Sequence, residues 1–211
     1  MTPVELAAMT FSIATAAIVF ALIFPVELPD KTFIATLVLA TRYRPLLVWI
    51  GVASAFAVQT VVAVTLGGLL AKLPHQPVQI LAACMFALGA VILFRGASAA
   101  DEEEHEVEEE FAAKVAVPET GFRAVVASFL ILFLAEWGDL SQLLTASLAA
   151  KYQDPVSVGV GAFLALATIS ALGAALGRQL LKRMKLATIR RVGASVCLLL
   201  SALTVVELVR G

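Results

Sequence analysis

Charge is scarce in this chain of 211 residues, and so are the residues that build most soluble active sites. Asp, Glu, Lys and Arg together make up 15% of it, where a soluble domain carries about 25%. There are two Cys, two His, two Trp and two Tyr. Cys84 and Cys197 stand apart in apolar sequence, with no CxxC pair and no zinc-type Cys/His spacing, which argues against a thiol relay or a structural zinc site and for small core residues. The 15 basic residues are balanced by 16 acidic ones, which excludes a basic surface for nucleic acid. No Lys or Arg precedes the first apolar run, so the N-terminus lacks the positive region of a cleavable signal peptide and reads as a retained membrane segment. The apolar runs do not alternate with polar residues, as the strands of a membrane barrel would.

What is there is apolar. Hydrophobic residues make up 61% of the chain, and mean hydropathy is +0.96. A water-soluble fold of this size has no means of hiding so much apolar surface. A spanning helix needs roughly 20 apolar residues, and six such segments are present, predicting an all-α membrane protein. They run over 6–40, interrupted at 25–31; 46–71; 78–94; 122–150, interrupted at 136–139; 156–181; and 188–209. The chain thus divides into 1–96, a polar acidic stretch at 97–118, and 119–211. Lys and Arg fall 11 to 3 on the two sides of this arrangement, with Lys31 inside the first segment. The positive-inside rule then puts the acidic stretch in the cytoplasm and both termini outside. A short chain with no targeting extension is expected in a bacterial inner membrane.

The acids are uneven. Eight of the 16 lie in one run, Asp101 to Glu110, which reads as a solvated, disordered loop. Four others, Glu27, Asp30, Glu136 and Asp139, interrupt apolar segments. Shifting the chain on itself by 109 residues superimposes them: Glu27 on Glu136, Asp30 on Asp139, Thr32 on Ser141, Thr36 on Thr145 and Tyr43 on Tyr152. A slip of one residue then aligns Gly51 with Gly161 and Gly67 with Gly177. Chance similarity between apolar stretches would match Leu, Ala and Val, not carboxylates and hydroxyls in register. Each half carries three spans, an odd number, so the halves are expected as two inverted three-helix repeats, with a site at the midplane where the interrupted helices meet.

The paired motifs are Glu27-Leu28-Pro29-Asp30-Lys31-Thr32 and Glu136-Trp137-Gly138-Asp139-Leu140-Ser141-Gln142. An ionised Asp at a span centre costs roughly 2.5–3.5 kcal/mol, so four separate acids facing lipid would cost on the order of 10 kcal/mol. They are expected to converge instead on a cation and on protons. Pro29 removes a helix donor and Gly138 permits a break by another route. Freed carbonyls beside carboxylates form a hard oxygen site suited to Mn²⁺, Ca²⁺ or Mg²⁺. Thr32, Ser141 and Gln142 are further candidate ligands. Thr32 lies about 140° around an unbroken helix from Glu27, at roughly 100° per residue, and contributes only if the helix breaks. Four carboxylates and Lys31 sum to -3, and crowded carboxylates raise one another's proton affinity, so protons are expected to occupy the site when the cation leaves.

At these residues the chain resembles the Gdt-type divalent-cation exchanger family, which includes bacterial manganese exporters and Golgi calcium/manganese–proton exchangers. That family's hallmark is two copies of Glu-x-Gly-Asp-(Lys/Arg)-(Ser/Thr), one per three-helix repeat, around an acidic central loop. Glu27, Asp30, Lys31 and Thr32 match the first copy and Glu136, Gly138, Asp139 and Ser141 the second; Pro29 and Leu140 depart from it. The resemblance implies a secondary transporter rather than an enzyme. It would export Mn²⁺, and Ca²⁺ as a second cargo, from the cytoplasm in exchange for protons, with no cofactor beyond the transported cation. The alternative is a proton-coupled exporter of an organic or amino-acid substrate, using the acids as proton carriers only.

Overall fold

The computed structural model describes residues 11–28, 31–72, 74–97, 100–114, 120–183 and 186–210. Among them the secondary structure is helical, with no strand. Helix α1 spans Ile13–Glu27 and α2 Lys31–Arg42, α3 Pro45–Leu70, α4 His75–Gly96, and α5 Ala100–Lys114. Then follow α6, Phe122–Ala135; α7, Leu140–Tyr152; α8, Pro155–Arg183; and α9, Leu186–Arg210.

The helix ends follow local chemistry. Ser12 caps α1, its hydroxyl accepting from the Thr15 amide at 3.2 Å. Pro45 opens α3, at the position where a missing N–H costs nothing. Pro25 is accommodated inside α1, which ends two residues later. The Asp154 carboxylate accepts from the Ser157 amide at 3.0 Å at the start of α8.

Among the described residues two helices, α3 and the stretch Pro155–Ala175 of α8, are long and apolar enough to cross a membrane, or up to four spans if each bent pair counts as one. The bent pairs are α1 with α2, at 73°, and α6 with α7, at 74°. They coincide with the two interrupted apolar segments. Helices α4 and α9, with shorter apolar stretches Ala82–Gly96 and Ala194–Val206, cover the third and sixth. Large apolar side chains such as Leu46, Leu134 and Val209 point outward, as lipid-facing residues do.

At the centre α3 packs against α8. Helix α6 lies on α3 and α1 on α8; α7 also lies on α3, and α2 on α8. Thus each long helix carries both halves of the other bent pair, while α4 and α9 pack together beside them. Three glycines permit the closest approaches, Gly51, Gly67 and Gly161; a Cβ on Gly67 of α3 would meet the Ala146 carbonyl of α7. A Cβ on Gly51 of α3 would meet the Val125 carbonyl oxygen and lie 2.9 Å from the Ser128 Cβ of α6. A Cβ on Gly161 of α8 would meet the Ala16 carbonyl of α1. Trp49 ties α3 to α8 by donating its Nε1 to the Ala167 carbonyl at 2.9 Å.

The acidic stretch differs from its expectation as a disordered loop. It forms α5, which packs on α2 and buries Val107 and Phe111. Those two residues, four apart, give an otherwise charged helix one apolar stripe, which is covered where α5 docks on the bundle, chiefly on α2. Cys197 is buried as expected, but Cys84 is exposed on α4; both thiols are free.

Candidate functional site

The second break is built by its own sequence. The last helical bond of α6 runs from the Glu136 amide to the Leu132 carbonyl, 3.0 Å. Gly138 then adopts φ +78°, a left-handed conformation that turns the chain at little cost to glycine. Asp139 caps α7: its Oδ1 accepts from the Gln142 amide at 2.9 Å and its Oδ2 from the Ser141 hydroxyl at 2.8 Å. These two bonds use two of the carboxylate's about four acceptor sites. Gln142 reaches back across the turn, donating Nε2 to the Glu136 carbonyl at 2.7 Å and accepting from the Gly138 amide at 3.2 Å. Asp139, Ser141 and Gln142 therefore form one hydrogen-bonded unit. The Glu136 side chain is buried, its Oε1 screened from solvent.

The first break carries the same residue types. Glu27, the last residue of α1, is fully buried with both carboxylate oxygens enclosed. The helix does break after it, which is the condition on which Thr32 becomes a candidate ligand. Thr32 is fully buried in the first turn of α2, and its hydroxyl has no hydrogen-bond partner among the described residues. One turn on, Thr36 donates to the Thr32 carbonyl at 2.7 Å. Pro29 and Asp30 lie outside the described residues. Among the described residues, no three His, Cys, Asp or Glu side chains are grouped so as to hold a metal ion. Glu27, Glu136 and Asp139 are thus not drawn into one ligand cluster by themselves.

The residues that follow the two aspartates diverge. Lys31 is exposed, and its charge reaches α5. Glu110 there is held below the usual Glu range, first by the hydrogen bond and charge of Lys114 and last by the charge of Lys31. Leu140, the counterpart of Lys31, packs toward α4, its two methyl carbons 3.1 and 3.2 Å from where a Gly89 Cβ would stand, beside the Cys197 sulfur. In this chain an apolar seam occupies the place of a second basic residue.

Two features escaped the sequence reading. Asp139 and Gln142, three apart before an apolar run, carry the spacing of a capping box, which would have announced their local role. Gln59 is buried in the middle of α3 and donates its Nε2 to the Phe133 carbonyl of α6 at 3.2 Å. A lone amide inside a span was its signal.

Helices broken at buried acids within an apolar bundle are the architecture of a membrane transporter. The comparisons with known proteins agree. The family model for the divalent cation/proton antiporter GDT1 matches residues 15–101 and 124–211. The chain belongs to this family. It is 34% identical over 159 residues to a GDT1-like protein of Synechocystis sp., covering 72% of this chain and 76% of that one. It is 32% identical to GDT1-like protein 1, chloroplastic, of Oryza sativa subsp. indica, over 90% of this chain and 61% of the rice protein. With Protein PAM71, chloroplastic, of Arabidopsis thaliana it shares 33% identity over 90% of this chain and 56% of the relative. The chain therefore spans little more than half the length of these plant relatives. No solved structure matches.

Proposed function

We propose that this divalent cation/proton antiporter exports Mn²⁺, with Ca²⁺ as a second cargo, from the cytoplasm in exchange for protons. The cation is bound at the membrane midplane by Glu27, Asp30, Glu136 and Asp139, with Thr32 and Ser141 as hydroxyl ligands and Gln142 shaping the second half. The observation that carries this reading is the burial of Glu27 and Glu136 at the ends of two helices, α1 and α6, each followed by a bend of more than 70°. Buried acids at such bends are costly in an apolar bundle unless a cation or protons neutralise them. The all-oxygen donor set favours Mn²⁺ and Ca²⁺ over softer metals. The reciprocal packing of each bent pair on the opposite long helix supports six spans in two inverted repeats. In that arrangement the termini face outward and α5 faces the cytoplasm of a bacterial inner membrane.

The cycle follows from charge. A divalent cation offsets two of the carboxylates' charges, and its departure leaves acids whose mutual repulsion recruits protons. Proteoliposomes with an imposed pH gradient and an entrapped Mn²⁺ indicator test this. Gradient-driven Mn²⁺ flux is expected in the wild type and a loss of it in Glu27→Gln and Asp139→Asn. Absence of Mn²⁺ and Ca²⁺ flux, or equal flux in those variants, sinks the proposal.

A further inference from the structure

Gln59 sits at 2% exposure in the middle of α3, a 26-residue helix of otherwise mostly apolar residues. Burying an amide without partners is unfavourable, so the destination of its hydrogen bond is informative. That destination is the Phe133 carbonyl, three residues before Glu136. The last four carbonyls of a helix have no partner within it. In α6 the Leu132 carbonyl is taken by the Glu136 amide and the Phe133 carbonyl by Gln59. With Gln142 on the Glu136 carbonyl, a glutamine on each side holds the second break: one from α7, the other from the long helix of the opposite half.

The other half carries no glutamine at the matching position. In the register that aligns Gly51 with Gly161, Gln59 corresponds to Ile169, a fully buried apolar residue of α8. The break held by Gln59 is also the one that lacks its own basic residue, Leu140 standing against Lys31.

We propose that Gln59 is a positioning residue of the transport site: its amide pins the end of α6 and thereby sets where the Glu136 carboxylate stands for the cation. This rests on the transport reading above. Gln59 does not itself bind the cation. It prearranges the empty site, so its loss acts on affinity before it acts on turnover.

The experiment measures Mn²⁺ flux in proteoliposomes of the full chain, for the wild type, Gln59→Met and Gln59→Asn, with melting temperature followed in detergent. Met keeps the volume and removes the donor. Asn keeps the amide but draws it back by one methylene, out of reach of the Phe133 carbonyl. Both should raise KM for Mn²⁺ about 10-fold or more, the usual effect of removing a group that orients a metal ligand. The maximal rate per folded protein should stay within about twofold. An unchanged KM, or a fall in maximal rate alone, overturns the inference and leaves Gln59 a packing residue. Failure of both variants to fold overturns it as well. If the wild type itself carries no Mn²⁺, the transport reading fails first, a result distinct from these.

Discussion

Gln142 donates its side-chain amide to the main-chain carbonyl of Glu136, six residues back, at 2.7 Å. The same side chain accepts from Gly138, so one residue closes the turn between α6 and α7. A net hydrogen bond is worth about 0.5–1.5 kcal/mol, and Gln142→Ala removes two, predicting a loss of about 1–3 kcal/mol. Gln142→Glu should be worse, because an ionised carboxylate would face the Glu136 carbonyl with no donor to offer. Denaturation of the purified variants in mixed micelles measures the stability, and Mn²⁺ flux in liposomes reports whether a loosened turn still transports. Two variants as stable as the wild type would show that the turn is held by the bundle alone.

The division of labour at this turn shows what was legible in the sequence. The apolar segments and the two breaks were readable, because burial in lipid requires long apolar runs and because Gly138 and the acids interrupt one of them conspicuously. The capping role of Asp139 was hidden behind its acidity: a carboxylate in a span reads as a ligand, and the amide of Gln142 that it accepts is main chain. Gln59 is not marked by the repeat, because its counterpart Ile169 is apolar. Helix α5 is not legible from composition, because eight acids outweigh two apolar residues in any average. Val107 and Phe111 are buried where α5 docks, chiefly on α2, and that docking is a tertiary fact.

The close approaches at Gly51 and Gly161 predict an asymmetric response to alanine. Gly51→Ala and Gly161→Ala place a methyl against main-chain carbonyls of α6 and α1, atoms that cannot rotate away. Each should cost about 1–3 kcal/mol as overpacking, since helices must separate to admit the group. Gly68→Ala, one residue from the buried Gly67, meets nothing within 4 Å and should be neutral or stabilising by about 0.5–1 kcal/mol through the helix preference of Ala. Thermal unfolding of the three proteins in one detergent checks the order. A Gly161→Ala protein as stable as Gly68→Ala would contradict the tight α1–α8 contact.

The two free thiols should differ in reactivity. Cys84 is exposed on the outer surface of α4, while Cys197 is buried in the seam that Leu140 and Gly89 also share. A small, membrane-permeant maleimide should modify Cys84 first in native protein and reach Cys197 only after denaturation. Mass spectrometry of the labelled chain counts the adducts. A Cys84→Ala variant should then carry none under native conditions, and label on Cys197 in that variant would mean that the α4–α9 seam opens.

Helix α5 should be held by its apolar stripe and trimmed by charge. Phe111→Ala removes a buried ring from the contact with α2 and should release α5, exposing the glutamates near it to cleavage by a Glu-specific protease. The wild type should resist at the same enzyme dose. The Lys114–Glu110 bond, 2.7 Å and one helical turn apart, adds a pH dependence of defined sign. The Glu110 carboxyl titrates below its ordinary value, so its contribution is present at neutral pH and is lost as pH falls through the lowered value. Acidification below the usual Glu range should therefore ease the release of α5, and Lys114→Met should remove that part of the pH dependence, together with the ammonium that stands 4.7 Å from the Phe111 ring centroid. Equal protease sensitivity of Phe111→Ala and wild type would mean that α5 stays in place without its stripe.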